Sequence, residues 1–154
     1  PREVRRRAIV LVTSDRGLCG AFNMNLIKTA EMQARSSKAA TTYVLIGKKG
    51  FEYFRRRKVD VLASNVGMGG VASWKYSEEL SRSLTLKFLA GDIDQVDLVY
   101  TSFKSALNRT ILVEPYLPLG RDAGAGAPAR DYIYEPTPSA ILERIVHYFR
   151  AVRL

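Results

Sequence analysis

Five consecutive apolar residues, Ala8-Ile9-Val10-Leu11-Val12, constrain this chain more than any other feature. Ile9, Val10 and Val12 are β-branched, and the run is too short for a buried helix, so it reads as a strand. It lacks the in–out alternation of a strand with one wet face. Both faces must therefore be covered, as in the parallel sheets of α/β folds. A glycine-containing turn, Ser14 to Gly20, comes next. Phe22, Leu26, Ile27, Ala30 and Ala34 then recur at helical spacing, which predicts an amphipathic helix to about Ala34.

The alternation continues. Thr41 to Ile46 predicts a second buried strand closed by Gly47. Lys48 to Arg57 predicts a short helix with Phe51 and Phe54 inward, and Val59 to Leu62 a third strand. Asn65 to Ser73 is glycine-rich and reads as a loop. Tyr76, Leu80, Leu84 and Phe88 mark one face of a helix stopped by Gly91. Val96 to Tyr100 and Thr110 to Val113 are further strands, with Ser102 to Ser105 extending the first. Arg121 to Arg130 reads as a flexible loop tip, and Asp131 to Tyr134 as a short strand. Thr137 and Pro138 open a last helix, whose apolar stripe is Ile141, Leu142, Ile145, Val146, Phe149 and Val152. The fold class is α/β: a mostly parallel sheet with helices on both faces and an antiparallel edge from the later strands, joined by the Gly/Ala loop.

Composition narrows the functional classes. Lysine and arginine number 24 against 15 acids, a formal charge of +9, which suits nucleic acid, an anionic membrane surface or an acidic protein. The clusters Arg5-Arg6-Arg7 and Arg55-Arg56-Arg57-Lys58 sit at element edges and read as solvated charge. No aromatic RNA-stacking motif accompanies them, so nucleic acid is not the expected partner. The single cysteine, Cys19, leaves no internal disulfide, and with only His147 beside it no metal site is expected. The basic start resembles a signal peptide only weakly, and a mature chain on the cytosolic side is expected.

A strand, a glycine turn and a helix also describe a phosphate cradle. A Walker A loop ends in lysine and Ser/Thr, whereas the first lysine after this turn is Lys28. A dinucleotide fingerprint needs G-x-G-x-x-G, and this turn offers only Gly17 and Gly20. Catalytic patterns are equally thin. G-x-S-x-G is absent, and Asp15 at a strand's carboxyl end reads as a turn acid rather than a catalytic group. A stand-alone nucleotide- or small-molecule-binding α/β domain is the alternative reading.

Three ordered stretches carry a resemblance. SDRGLCGAFNMNL (Ser14 to Leu26), DLVYTSFKSALNRT with the following VEPYLPL (from Asp97), and YIYEPTPSAILERI (Tyr132 to Ile145) resemble the gamma subunit of the F-type ATP synthase. That resemblance implies a Rossmann-like domain with no nucleotide, cofactor or metal of its own. It implies a non-catalytic role as the globular part of a rotary central stalk. The implied partners are an epsilon subunit, the catalytic alpha/beta ring and the membrane c-ring, with no nucleic acid and no substrate. The implied place is the cytoplasmic face of a bacterial inner membrane, as a peripheral protein, with the isolated domain soluble.

The signature turn is Ser14, Asp15, Arg16, Gly17, Leu18, Cys19, Gly20 and Asn23, and its expected role is structural. Asp15 is expected to accept backbone N–H groups, Gly17 or Gly20 to take positive φ, and Cys19 to pack inward. Residues 1–136 are expected to form the globular domain, with its flexible loop at 121–130. Residues 137–154 are expected to begin the family's C-terminal coiled-coil helix, about 17 residues or roughly 25 Å long. The family's N-terminal helix is expected to be absent, since the first strand begins by Ala8. The stripe from Ile141 to Val152 would pack on that partner helix. Arg55, Arg56 and Arg57 are candidate subunit contacts.

Overall fold

The computed structural model describes residues 2–16, 21–67, 74–105 and 108–118. Its elements alternate as β1 (Arg6–Val12), α1 (Phe22–Arg35), β2 (Ala40–Ile46), α2 (Lys48–Arg55), β3 (Asp60–Asn65), α3 (Trp74–Leu89), β4 (Gln95–Ser105) and β5 (Asn108–Leu117). The sheet order is β3-β2-β1-β4-β5. β1 pairs in parallel with both β2 and β4, β2 pairs in parallel with β3, and β4 pairs antiparallel with β5.

Handedness explains where the helices lie. Crossovers between parallel strands are right-handed, so two steps in one direction place α1 and α2 on one face. The return from β3 to β4, beyond β1, reverses direction and puts α3 on the other. The core accordingly has two layers. Ala8, Val10, Val12, Val44, Ile46, Val96 and Leu98 meet Leu80 and Leu84 of α3. Ile9, Leu11, Tyr43, Leu45 and Val99 meet Leu26, Ile27 and Ala30 of α1 and Phe54 of α2. β1 is buried from Arg7 to Val12 on both faces, as its unbroken apolar run requires.

Gly91 stops α3 at φ +81, with Asp92 N–H on Lys87 O (2.9 Å) and Gly91 N–H on Phe88 O (3.2 Å), the pairing of a Schellman cap. Two expectations change. β3 reaches Asn65, three residues past the predicted end at Leu62, because a parallel neighbour supplies ladder bonds whatever the polarity: Gly47 N–H donates to Asn65 O at 2.9 Å. The antiparallel edge is made by β4 and β5, ahead of the Gly/Ala loop expected to join it. The loop at 121–130, the strand at 131–134 and the helix from 137 lie outside the described residues.

Arg7 is not the solvated charge its cluster suggested. Pointing to the α1 face, it is 6% exposed and ion-paired to Asp97, itself 4% exposed. The guanidinium also donates to the Gln33 carbonyl (2.6 Å) and Gln33 Oε1 (3.0 Å), while Gln95 Nε2 donates to both Asp97 oxygens (3.0 and 2.8 Å). A buried pair persists only when its remaining donors and acceptors are satisfied, and here they are.

Candidate functional site at the carboxyl edge of the sheet

The residues after β1 pack against the N-terminus of α2. A helix leaves its first N–H groups without internal partners, and those amides attract anions. In α2 they are filled from within the chain. Lys48 N–H donates to Asp15 Oδ1 (2.9 Å), Lys49 N–H to Ser14 O (3.1 Å) and Gly50 N–H to Thr13 Oγ1 (2.9 Å). Thr13 is anchored in turn by its N–H on Ile46 O at 2.8 Å. The same Asp15 oxygen accepts Gly67 N–H at 3.2 Å, so one carboxylate ties the segments following β1, β2 and β3.

This fit demands two glycines. Gly47 sits at φ +96, and a Cβ there would lie 1.9 Å from Thr13 O. A Cβ on Gly50 already meets Thr13 Oγ1 at 3.0 Å. The backbone of α2 can approach β1 this closely only without side chains in the way.

Asn23, in the first turn of α1, closes the other side. Its Oδ1 accepts Ser14 N–H (3.0 Å) and its Nδ2 donates to Ser14 Oγ (2.8 Å), while Ser14 Oγ donates to Arg16 O (2.7 Å). Asn23 is 8% exposed, so these bonds satisfy a buried amide.

Of the signature residues, the structure brings together Ser14, Asp15, Arg16 and Asn23. Gly17, Leu18, Cys19 and Gly20 lie outside the described residues, as does the stripe Ile141, Leu142, Ile145, Val146, Phe149 and Val152. Arg55, Arg56 and Arg57 are exposed at the far end of α2, and Arg57 lies 3.4 Å over the Tyr53 ring. Sequence reasoning missed Thr13, Gly47, Gly50 and the Arg7–Asp97 pair. Gly47 had a usable signal, since a glycine between a buried strand and a helix often marks a tight approach. The pair had none, because its partners are 90 residues apart.

An open cleft of about 390 Å³ lies at the opposite, amino edge, lined by Arg6, Thr41, Thr42, Asp60, Lys87 and Asp92 among others. Ligands of open α/β sheets bind at the carboxyl edge, at the strand-order switch, here between β1 and β4. The cleft is at the wrong end for that geometry.

Together these features define a doubly wound α/β domain whose carboxyl edge is tied by its own turn. A family model described as ATP synthase matches residues 1–154. The chain belongs to that family, and the curated relatives it matches are gamma chains. It is 36% identical over 158 residues to the ATP synthase gamma chain of Moorella thermoacetica, covering 99% of this chain and 54% of that one. Against the Sorangium cellulosum gamma chain it is 39% identical over 160 residues, covering 94% and 50%. The chain thus spans about half the length of the curated relatives it matches. The central stalk of the Tetrahymena thermophila mitochondrial ATP synthase shares the fold, with a TM-score of 0.63 over 99% of this chain and 68% of that one at 20% identity.

Proposed function

We propose that this chain is the globular α/β part of a central-stalk subunit of a proton-translocating ATP synthase. In the full-length subunit it transmits rotation between the membrane c-ring and the catalytic alpha/beta ring. The observation that carries the reading is the match of gamma chains across nearly the whole chain, at 36% identity for the Moorella relative. The fold shared with a solved central stalk supports it.

In this reading the domain has no catalytic residue and holds shape. The signature turn serves that end: Asp15, Ser14 and Thr13 lock α2 to β1, so the first amides of α2 are occupied by the chain itself. The stripe Ile141, Leu142, Ile145, Val146, Phe149 and Val152 packs against a second long helix of the full-length subunit. Epsilon is a further neighbour, and Arg55, Arg56 and Arg57 contact other subunits. The protein sits peripherally on the cytoplasmic face of a bacterial inner membrane; among the described residues no helix is long and apolar enough to cross a bilayer.

The test is a segment exchange. This chain replaces the matching segment of a full-length bacterial gamma chain, and ATP-driven proton pumping is measured in inverted vesicles. Assembly with coupled pumping is the expected result. An assembled complex that hydrolyses ATP without pumping would overturn the reading.

A further inference from the structure

Among the described residues, six cations pair with acids. Arg2 pairs with Asp94, Arg5 with Glu3, Arg7 with Asp97, Lys48 and Lys49 with Glu52, and Arg82 with Glu78. Six others gather in one region. α1 and α2 lie on the same face and run antiparallel to the strands, so both end at the amino edge of the sheet. Arg35 closes α1 and Lys38 follows it; Arg55 closes α2, and Arg56, Arg57 and Lys58 follow it. All six are exposed, and among the described residues none forms an ion pair.

The two ends are neighbours. Tyr53 of α2 donates to Glu31 of α1 at 3.0 Å. Burial and that bond push the Tyr53 hydroxyl above its ordinary value, and both Arg57 and Arg35 pull it back, so cations from the two helix ends share one locality. Asp60, two residues past Lys58, and Glu31 offset part of the charge. The final carbonyls of both helices tolerate the cations locally, but no carboxylate is paired with them among the described residues.

We propose that the carboxyl ends of α1 and α2 form a docking face for an acidic segment of another protein, whose Asp and Glu carboxylates engage Arg35, Arg55, Arg56 and Lys58. Two features favour protein over lipid or nucleic acid. Arginine supplies most of the charge, and Met32, 69% exposed one turn before Arg35, adds an apolar contact; arginine and methionine are enriched at protein interfaces while lysine is depleted. The one aromatic in the patch, Tyr53, is covered by Arg57 rather than offered for base stacking. The proposal deepens the contact role of Arg55, Arg56 and Arg57 and rests on that reading.

The test uses the 154-residue chain and a fluorescein-labelled poly-glutamate peptide, with anisotropy read at about 50 mM and about 200 mM salt. Arg55→Ser/Arg56→Ser/Lys58→Ser should bind roughly tenfold more weakly, the sum of three exposed ion pairs. A control removing the same charge elsewhere, Lys28→Ser/Lys75→Ser/Arg82→Ser, should bind nearly as the parent does. Equal weakening of both variants, or no peptide binding by the parent at the lower salt, overturns the proposal. So does tighter binding to phosphatidylglycerol vesicles or to duplex DNA than to the peptide. Circular dichroism melting confirms that each variant is folded, and a Gln set replaces any Ser set that is not. Because this readout needs no assembled synthase, loss of the docking face and loss of coupled pumping are separable failures.

Discussion

Asp15 shows how one side chain can decide what a turn is for. One oxygen of its carboxylate holds Lys48 N–H and Gly67 N–H, and alanine can replace neither bond. Asp15→Ala should cost about 1–2 kcal/mol in urea unfolding, the range of a lost helix cap. Asp15→Asn, which keeps an acceptor oxygen, should cost less. Gly47→Ala should be harsher, about 3 kcal/mol or more, because its Cβ would meet backbone at a φ that side chains avoid. Breaking the buried ion pair with Asp97→Ala should cost about 3–5 kcal/mol, leaving the Arg7 charge without its carboxylate. The apolar pair Arg7→Met/Asp97→Leu should recover part of that loss. The signature turn was legible in the sequence as a motif, and Asp15 as an acceptor of backbone N–H groups. Its partners were not, since they lie 33 and 52 residues away.

Elements are held by their ends as much as by their faces. α2 has eight residues, too few for a stable helix in isolation, so its boundary bonds matter more than propensity. Thr13→Val keeps the shape of the side chain but removes the acceptor for Gly50 N–H, and should lower stability by about 1 kcal/mol with slower protection lost first at residues 48–50 in hydrogen exchange. The start of β1 has a comparable device. Asp94 accepts Arg5 N–H (3.0 Å) and Arg6 N–H (2.9 Å), and these bonds, with Arg2 nearby, hold its carboxyl below the ordinary value of 3.8. A depressed folded pKa stabilises above the unfolded value, and the contribution is lost as pH falls through the folded one. The melting-temperature gap between the parent and Asp94→Asn should therefore be full at neutral pH and close progressively as the solution is acidified below the ordinary value of 3.8. The apolar runs announced β1 and β2 because both faces are buried. β3 was drawn too short because Ala63, Ser64 and Asn65 carry no strong pattern and are recruited by β2.

At the scale of the molecule, a carboxyl edge tied by its own turn predicts silence toward nucleotides at α2. Adding ATP, ADP or NADPH to the chain should not shift its melting temperature; a saturable shift would favour the nucleotide-binding alternative. The sequence by itself determined the layered α/β class, since unbroken apolar strands separated by amphipathic helices can be buried only in a covered parallel sheet. It determined the family too, since the match to the ATP synthase family model and to gamma chains is one of sequence. Only the tertiary structure decided which basic residues are structural and which face solvent. Arg5, Arg6 and Arg7 look alike in a row, yet β1 turns Arg7 into the core against Asp97 and leaves its neighbours at the surface. Only the tertiary structure, again, placed the Asp15 carboxylate on amides from two other loops. Both outcomes depend on which distant segments the strand order β3-β2-β1-β4-β5 brings side by side, and a local pattern of residue types carries no information about such pairings.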